Sequence, residues 1–291
     1  MWKLLQIELY KIFRRPRTYI AFAAITALIT VIQVGLKADG EAYIDFLMSN
    51  IKDSFDFEGK MLNGYFVCYI ILQLLLIHVP LLISLIAADM ISGEANMGTL
   101  RLLVSKPYTR TQFILAKFFA AAVYTFLLLV WIAVTGLFVS MWLFGTDDMF
   151  ITKTYYAVQL QSNDVLWRYA GAFCFAFLSM LIVAALGFFL SLFSENSIGP
   201  IVATMSIVIF FTIVSTMSIP LFQKIQPYLF TTHMVNWKEF FDEKVDTDNN
   251  VITGSIQNVN KIVNSALILI LHIAALVTAA IFVFRKKDVL S

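Results

Sequence analysis

Charge is scarce in this sequence. Asp, Glu, Lys and Arg make up 14% of its 291 residues, while 60% are hydrophobic and 27 are Phe. A water-soluble globule of this size cannot hide so much apolar surface, because a large part of any globule faces solvent. Cysteine is nearly absent. Cys68 and Cys174 make neither a disulfide framework nor a metal-ligand spacing. Both fall near the outer end of an apolar run on the topology below, so a bridge between them is conceivable beside the plainer reading of two small hydrophobes. Catalytic signatures are missing too. There is no H-E-x-x-H, no G-x-S-x-G and no aspartate pair inside the apolar runs, which leaves hydrolysis without a nucleophile or a metal. Gly93 and Gly98 have the G-x-x-x-x-G spacing of a phosphate loop. Thr99-Leu100 follows where Lys-Ser/Thr is needed, so the cradle fails and nucleotide is not bound there.

What the chain does have is apolar runs of membrane-crossing length. They cover residues 18–36, 64–88, 118–144, 169–193, 198–219 and 262–284, and none contains Asp, Glu, Lys or Arg. About 20 residues cross about 30 Å of hydrocarbon. The ionisable residues between the runs alternate in sign. Residues 1–17, 89–117, 194–197 and 285–291 hold 12 basic and 5 acidic residues. The segments 37–63, 145–168 and 220–261 hold 9 basic and 14 acidic ones. Lys and Arg collect on the cytoplasmic side of a membrane, so the first set is inside. The expectation is an all-α polytopic membrane protein of six transmembrane helices with both termini cytoplasmic, in the inner membrane.

Residues 1–17 do not read as a cleavable signal, since no small-residue cleavage site follows the first run. Trp2, Leu5, Leu9 and Ile12 recur at helical spacing, with Lys3, Gln6, Lys11 and Arg14 on another face. The pattern predicts an amphipathic helix lying in the membrane interface and ended by Pro16; a basic tail without fixed structure is the alternative. The outer segment 37–63 is acidic but matches no calcium loop. The outer segment 220–261 carries Phe222, Tyr228, Phe230, Trp237, Phe240 and Phe241, which predicts a piece lying at the outer interface. The tail 285–291 is basic.

The inner loop 89–117 is the most patterned polar segment. Residues 94–105 have helical character, Ser92 stands as a plausible cap, and Lys106-Pro107 ends the helix. A second helix start is expected at Thr109. At this loop the chain resembles the first cytoplasmic loop of ABC type-2 export permeases. The matching residues are Glu94-x-x-x-Gly98-Thr99-Leu100-Arg101-x-Leu103, then Ser105-x-Pro107-x-x-Arg110 and Lys117. The likeness extends along the chain through Arg14-Arg15-Pro16, the six runs, the short turn 194–197 and the long outer segment before the last run. It implies a dimeric permease, either a homodimer or paired with a similar chain, docked on separate ATPase subunits. ATP and Mg would then sit on those partners, with no cofactor in this chain and no nucleic-acid partner. It also implies that Glu94, Gly98, Thr99, Leu100, Arg101 and Leu103 form the coupling surface, with Pro107 and Arg110 positioning it.

Few polar groups lie at depth. His78 and Gln73 fall near the middle of the second run, His272 near the middle of the sixth, and Thr212 and Ser215 in the hydroxyl-rich fifth. Each is a candidate for a transport pathway, because polar groups are costly in hydrocarbon; a single hydrogen bond to a neighbouring helix is the alternative. A secondary carrier is the rival class, but no internal repeat and no buried carboxylate for ion coupling is visible. A sensor or resistance subunit of an ABC-type complex would carry the same loop.

Overall fold

The computed structural model describes residues 1–48, 60–75, 78–99, 108–152, 157–245 and 251–287. Among these, helices dominate. We label them α1 (Trp2–Arg14), α2 (Pro16–Met48), α3 (Gly64–Leu74), α4 (His78–Ala87), α5 (Asp89–Asn96), α6 (Arg110–Ile132), α7 (Val139–Phe144), α8 (Ser162–Leu190), α9 (Ile198–Thr216), α10 (Pro220–Gln223), α11 (Phe230–Met234) and α12 (Val259–Lys286). Two short hairpins sit between them: Met149–Thr152 with Ala157–Leu160, and Lys244–Val245 with Val251–Ile252.

Five stretches are long and apolar enough to cross a membrane: Pro16–Phe46, Arg110–Phe144, Ser162–Phe193, Ile198–Thr216 and Val259–Lys286. A sixth crossing exists if α3 and α4 are taken together, and these two meet at 56°. An unbroken helix over 64–88 is therefore not what forms. Pro80 is the third residue of α4, in the first turn, where a missing N–H costs nothing. In an unbroken helix the same proline would remove a ladder bond.

Local chemistry explains the other boundaries. Arg15 is extended (φ −83°, ψ 131°) and Pro16 opens α2, so the chain turns sharply between α1 and the first crossing. Thr109 and Gln112 form a reciprocal capping box at the start of α6. Between α6 and α7 one turn, Ala133–Phe138, widens to a π-helix. Within it the Thr135 carbonyl accepts from the buried Gln33 of α2 at 2.9 Å, and Gln33 also donates to Ser140 Oγ at 2.9 Å. Asn63 caps α3 by accepting from the Phe66 N–H at 3.0 Å. Gly64 follows, and a Cβ there would lie 2.4 Å from the Met141 Cα, so α3 and α7 touch backbone to backbone.

α8 is the central helix. It is the most buried of the long helices and packs on α4, α6, α9 and α12. Segment 220–261 divides in two. Its first part is exposed at Leu221 and Tyr228. Its second part enters the bundle: Phe230, Trp237 and Phe241 are buried, and the Phe241 ring lies 4.8 Å from that of Tyr169. These three side chains therefore pack against the helices rather than facing outward. The anchor is Arg168 on α8, fully buried, which pairs with Asp164 and Glu243 and donates to the Phe240 and Ser255 carbonyls at 2.8 and 2.9 Å. Burial pushes the Glu243 carboxyl above its usual range despite the guanidinium beside it. Cys68 is buried, Cys174 is exposed, and both are free thiols.

Candidate functional site

Charge is rare in this chain, so the buried charges stand out. Glu8 of α1, Glu94 of α5 and Lys117 of α6 are each at most 3% exposed. Lys117 Nζ lies 2.8 Å from Glu8 Oε2 and 2.7 Å from Glu94 Oε1, and donates to the Met90 carbonyl at 3.0 Å. Lys11 closes the ring at 2.8 Å from Glu8 and 2.8 Å from Glu94. Two cations thus answer two carboxylates, and three helices distant in sequence are joined at one point. Burial alone would raise the Glu8 carboxyl, but Lys117 and Lys11 outweigh it and hold Glu8 below its usual range. Burial would likewise lower the Lys11 ammonium, but Glu8 and Glu94 hold it above its usual range.

A second node lies beside the first. Asp89, buried at the start of α5, pairs with Arg15 and with Arg17 (3.2 Å) and accepts from the Ser197 hydroxyl. This ties the turn between α1 and α2 to α5 and to the short turn before α9. A third node is Arg110, which donates to the carbonyls of Phe284, Arg285 and Lys287 at 3.1, 3.1 and 2.6 Å and so caps the end of α12. Lys287 Nζ in turn donates to the Leu192 carbonyl at 2.6 Å. The three nodes gather α1, α5, the start of α6, the turn before α9 and the end of α12 into one collar at one end of the bundle.

The loop residues fall as follows. Glu94, which the resemblance places on the coupling surface, is 3% exposed and held by Lys11 and Lys117. Helix α5 does not begin at Ser92 either. It starts at Asp89, and Ser92 lies inside it with its hydroxyl on the Ala88 carbonyl at 2.6 Å. Nor does a single helix run through 94–105. Gly98 takes φ +67°, its N–H bonds the Ala95 carbonyl at 3.0 Å, and the Thr99 N–H bonds the Glu94 carbonyl at 3.0 Å. This is a Schellman stop, and it needs a left-handed residue at Gly98. Leu100, Arg101, Leu103 and Pro107 lie outside the described residues. What faces outward beside this stop is Met97, 57% exposed. An open groove of about 490 Å³ runs between α1 and α5, lined by Tyr10, Lys11, Arg14, Arg15, Glu94, Met97 and Thr99.

Of the pathway candidates, Gln73 and His78 are both exposed and flank the break in the second crossing. His272 is half-buried, with Nδ1 on its own helix at the Ile268 carbonyl (2.8 Å) and its ring near Phe230. Thr212 bonds the Val208 carbonyl of its own helix at 2.7 Å. Ser215 contacts Thr231 and Thr232 at 2.7 and 3.0 Å and so ties α9 to α11. No contact joins these candidates to one another among the described residues. Glu8 and Asp89 were absent from the residues picked out by sequence, Lys11 entered only on the polar face of the amphipathic helix, and Lys117 only as part of the loop resemblance without a role of its own. The one available signal is at Glu8, an acid spaced by four between Leu4 and Ile12 on the face that α1 buries.

A bundle with five or six apolar crossings and a charge-locked collar at one end defines a multi-pass helical membrane protein. The family model of ABC-2 family transporter proteins matches residues 2–289, and the chain belongs to that family of ABC transporter permeases, which work with ABC ATPase subunits. No curated protein matches the chain.

Proposed function

We propose that this chain is the permease subunit of an ABC exporter, driven by ATPase subunits that dock on the cytoplasmic collar. The observation that carries the reading is the buried ring of Glu8, Lys11, Glu94 and Lys117. A permease without a nucleotide site must take up mechanical work through something stiff. Removing one member of a buried, hydrogen-bonded charge pair costs about 3–5 kcal/mol, so the ring resists being pulled apart. A push delivered near Met97 and Thr99 then moves α1, α5 and α6 as one body, and tilts the crossings attached to them.

The rest of the arrangement follows from that end being cytoplasmic. Both termini lie inside, in the inner membrane, in keeping with the basic excess of the segments at the collar. Around α1, Leu4, Glu8 and Ile12 face the bundle, while Trp2, Leu5, Leu9 and Phe13 follow on the next side. That apolar side enters the interface and Lys3 and Arg14 stay toward water. Glu94, Gly98, Thr99, Leu100, Arg101 and Leu103 belong to the coupling surface, with Pro107 and Arg110 positioning it. Two copies of the permease, or this chain and a similar one, pair over two ATPase subunits, which hold ATP and Mg.

Glu94→Ala or Gly98→Pro should uncouple ATP hydrolysis by the partner from transport while insertion stays intact. The first opens the ring, and the second forbids φ +67°. Full coupling in both variants would overturn the assignment.

A further inference from the structure

Three of the apolar runs end at one place in the structure. Arg17 precedes the run 18–36, Asp89 follows the run 64–88, and Ser197 precedes the run 198–219. These boundary residues meet: Asp89 pairs with Arg17 at 3.2 Å and accepts from the Ser197 hydroxyl. Beside them lies a pocket of about 240 Å³. Arg15, Pro16 and Arg17 line it on one side, one face of α5 (Asp89, Gly93 and Asn96) on another, and Ser197 completes it. A Cβ at Gly93 would lie 2.5 Å from Asp89 Oδ1, so the glycine is what leaves room for the carboxylate.

A bare carboxylate would repel an anion from this pocket, but Asp89 is not bare. Its Oδ2 takes Arg15, and its Oδ1 takes Arg17 and the Ser197 hydroxyl. Each guanidinium carries five N–H groups. Among the described residues, Arg15 and Arg17 each spend one nitrogen on a protein acceptor, and both spend it on Asp89. Two cations against one carboxylate leave one positive charge in excess. Arg14 adds another beside the pocket, exposed and set over the Tyr10 ring at 5.2 Å. Lys11 and Lys117 are already answered by Glu8 and Glu94, and the exposed Glu195 does not line the pocket. Next to the pocket, the first residues of two crossings are apolar and exposed: Tyr19 and Ile20 on α2, and Ile198 on α9.

Resting on the permease reading, which puts this end of the bundle at the cytoplasmic surface, we propose that the pocket holds the phosphate headgroup of an anionic phospholipid. Arg15 and Arg17 donate to the phosphate oxygens, which a guanidinium fork matches in shape and charge. The acyl chains run along the exposed Tyr19, Ile20 and Ile198. Basic pockets between crossings at the cytoplasmic side recognise such headgroups. A free phosphate shares the headgroup chemistry, but the place of the pocket, at the boundary of three apolar runs, is the level at which lipid phosphates lie. The bound lipid braces the turn that joins α1 to the first crossing.

The test is native mass spectrometry of the detergent-purified protein, titrated with phosphatidylglycerol or with zwitterionic phosphatidylcholine of the same chains. The proposal expects phosphatidylglycerol to bind at least tenfold tighter than phosphatidylcholine. Arg17→Gln should weaken phosphatidylglycerol at least fivefold, and Arg17→Lys should weaken it less. Lys286→Gln removes one charge from the exposed end of α12 and should change the affinity less than twofold. Asn96→Trp fills the pocket with every arginine in place, so it should lose the lipid too, and it keeps the test decisive if Arg17→Gln fails to fold. Equal affinity for the two lipids, or equal losses in Arg17→Gln and Lys286→Gln, would reduce the binding to general surface charge and overturn the proposal. Displacement of phosphatidylglycerol by an equal concentration of inorganic phosphate would make soluble phosphate the ligand and overturn it as well. No ATPase takes part in this measurement, so failure of coupling at the collar and failure of the lipid site are separate results.

Discussion

Lys117 sits 1% exposed at the base of a helix that continues into the membrane, with two carboxylates and a carbonyl as its surroundings. Replacing it by Met leaves Glu8 and Glu94 facing one another with only Lys11, itself part-exposed, to answer both. Lys117→Met is expected to cost about 3–5 kcal/mol, and Lys11→Met clearly less; unfolding midpoints in mild detergent check the order. The pH dependence has a definite sign. Glu8 is held below its ordinary value of 4.5, so its contribution is present above 4.5 and is lost as pH falls through the lower folded value. Lys11 is held above its ordinary 10.5, so its contribution is present below 10.5 and is lost as pH rises through the higher folded value. Stability of the collar should therefore stay level between those limits, and Glu8→Gln should flatten the acid limb in a series of melts against pH. Little of this ring was legible beforehand. Lys117 entered only as the last residue of the matching loop motif, and its partner Glu8 lies 109 residues away, a separation that no local pattern spans.

Elements show where side-chain volume and backbone conformation decide the fold. Gly98 has open space around it, so Gly98→Ala carries only the strain of a left-handed residue, about 1–2 kcal/mol. Gly64 is the opposite case: its backbone is ordinary for a helix, but a Cβ would strike the Met141 backbone at 2.4 Å. Gly64→Ala should thus destabilise more than Gly98→Ala, since α3 must move off α7; chemical unfolding of the two variants settles the order. The capping pair Thr109 and Gln112 was legible at one residue, because Thr before a helical run is a start signal in itself. The early stop at Gly98 was not, since Leu100, Leu103 and Val104 invite a helix to continue. The destination of the aromatic segment 220–261 was also hidden. Composition places aromatic residues at an interface or in a core with equal ease, and the choice was made by Arg168, which draws the Phe240 carbonyl and Glu243 onto α8.

At the scale of the whole molecule the architecture was largely readable, because hydrocarbon demands long uncharged runs and nothing else explains them. The bend at α3 and α4 escaped, since hydropathy is the same for a straight and a broken crossing. The account's central claim concerns the collar. If α1, α5 and the segment between Gly98 and Thr109 form the face that receives an ATPase, the contact should survive extraction and depend on those residues. The measurement is co-purification of tagged protein from mild detergent, with mass spectrometry of whatever remains bound. The account predicts recovery of an ABC ATPase subunit, lost when residues 94–103 are scrambled in a protein that still inserts and elutes as a single species. A homogeneous wild-type preparation that retains no ATPase, and takes up none when a candidate partner is added, would contradict it.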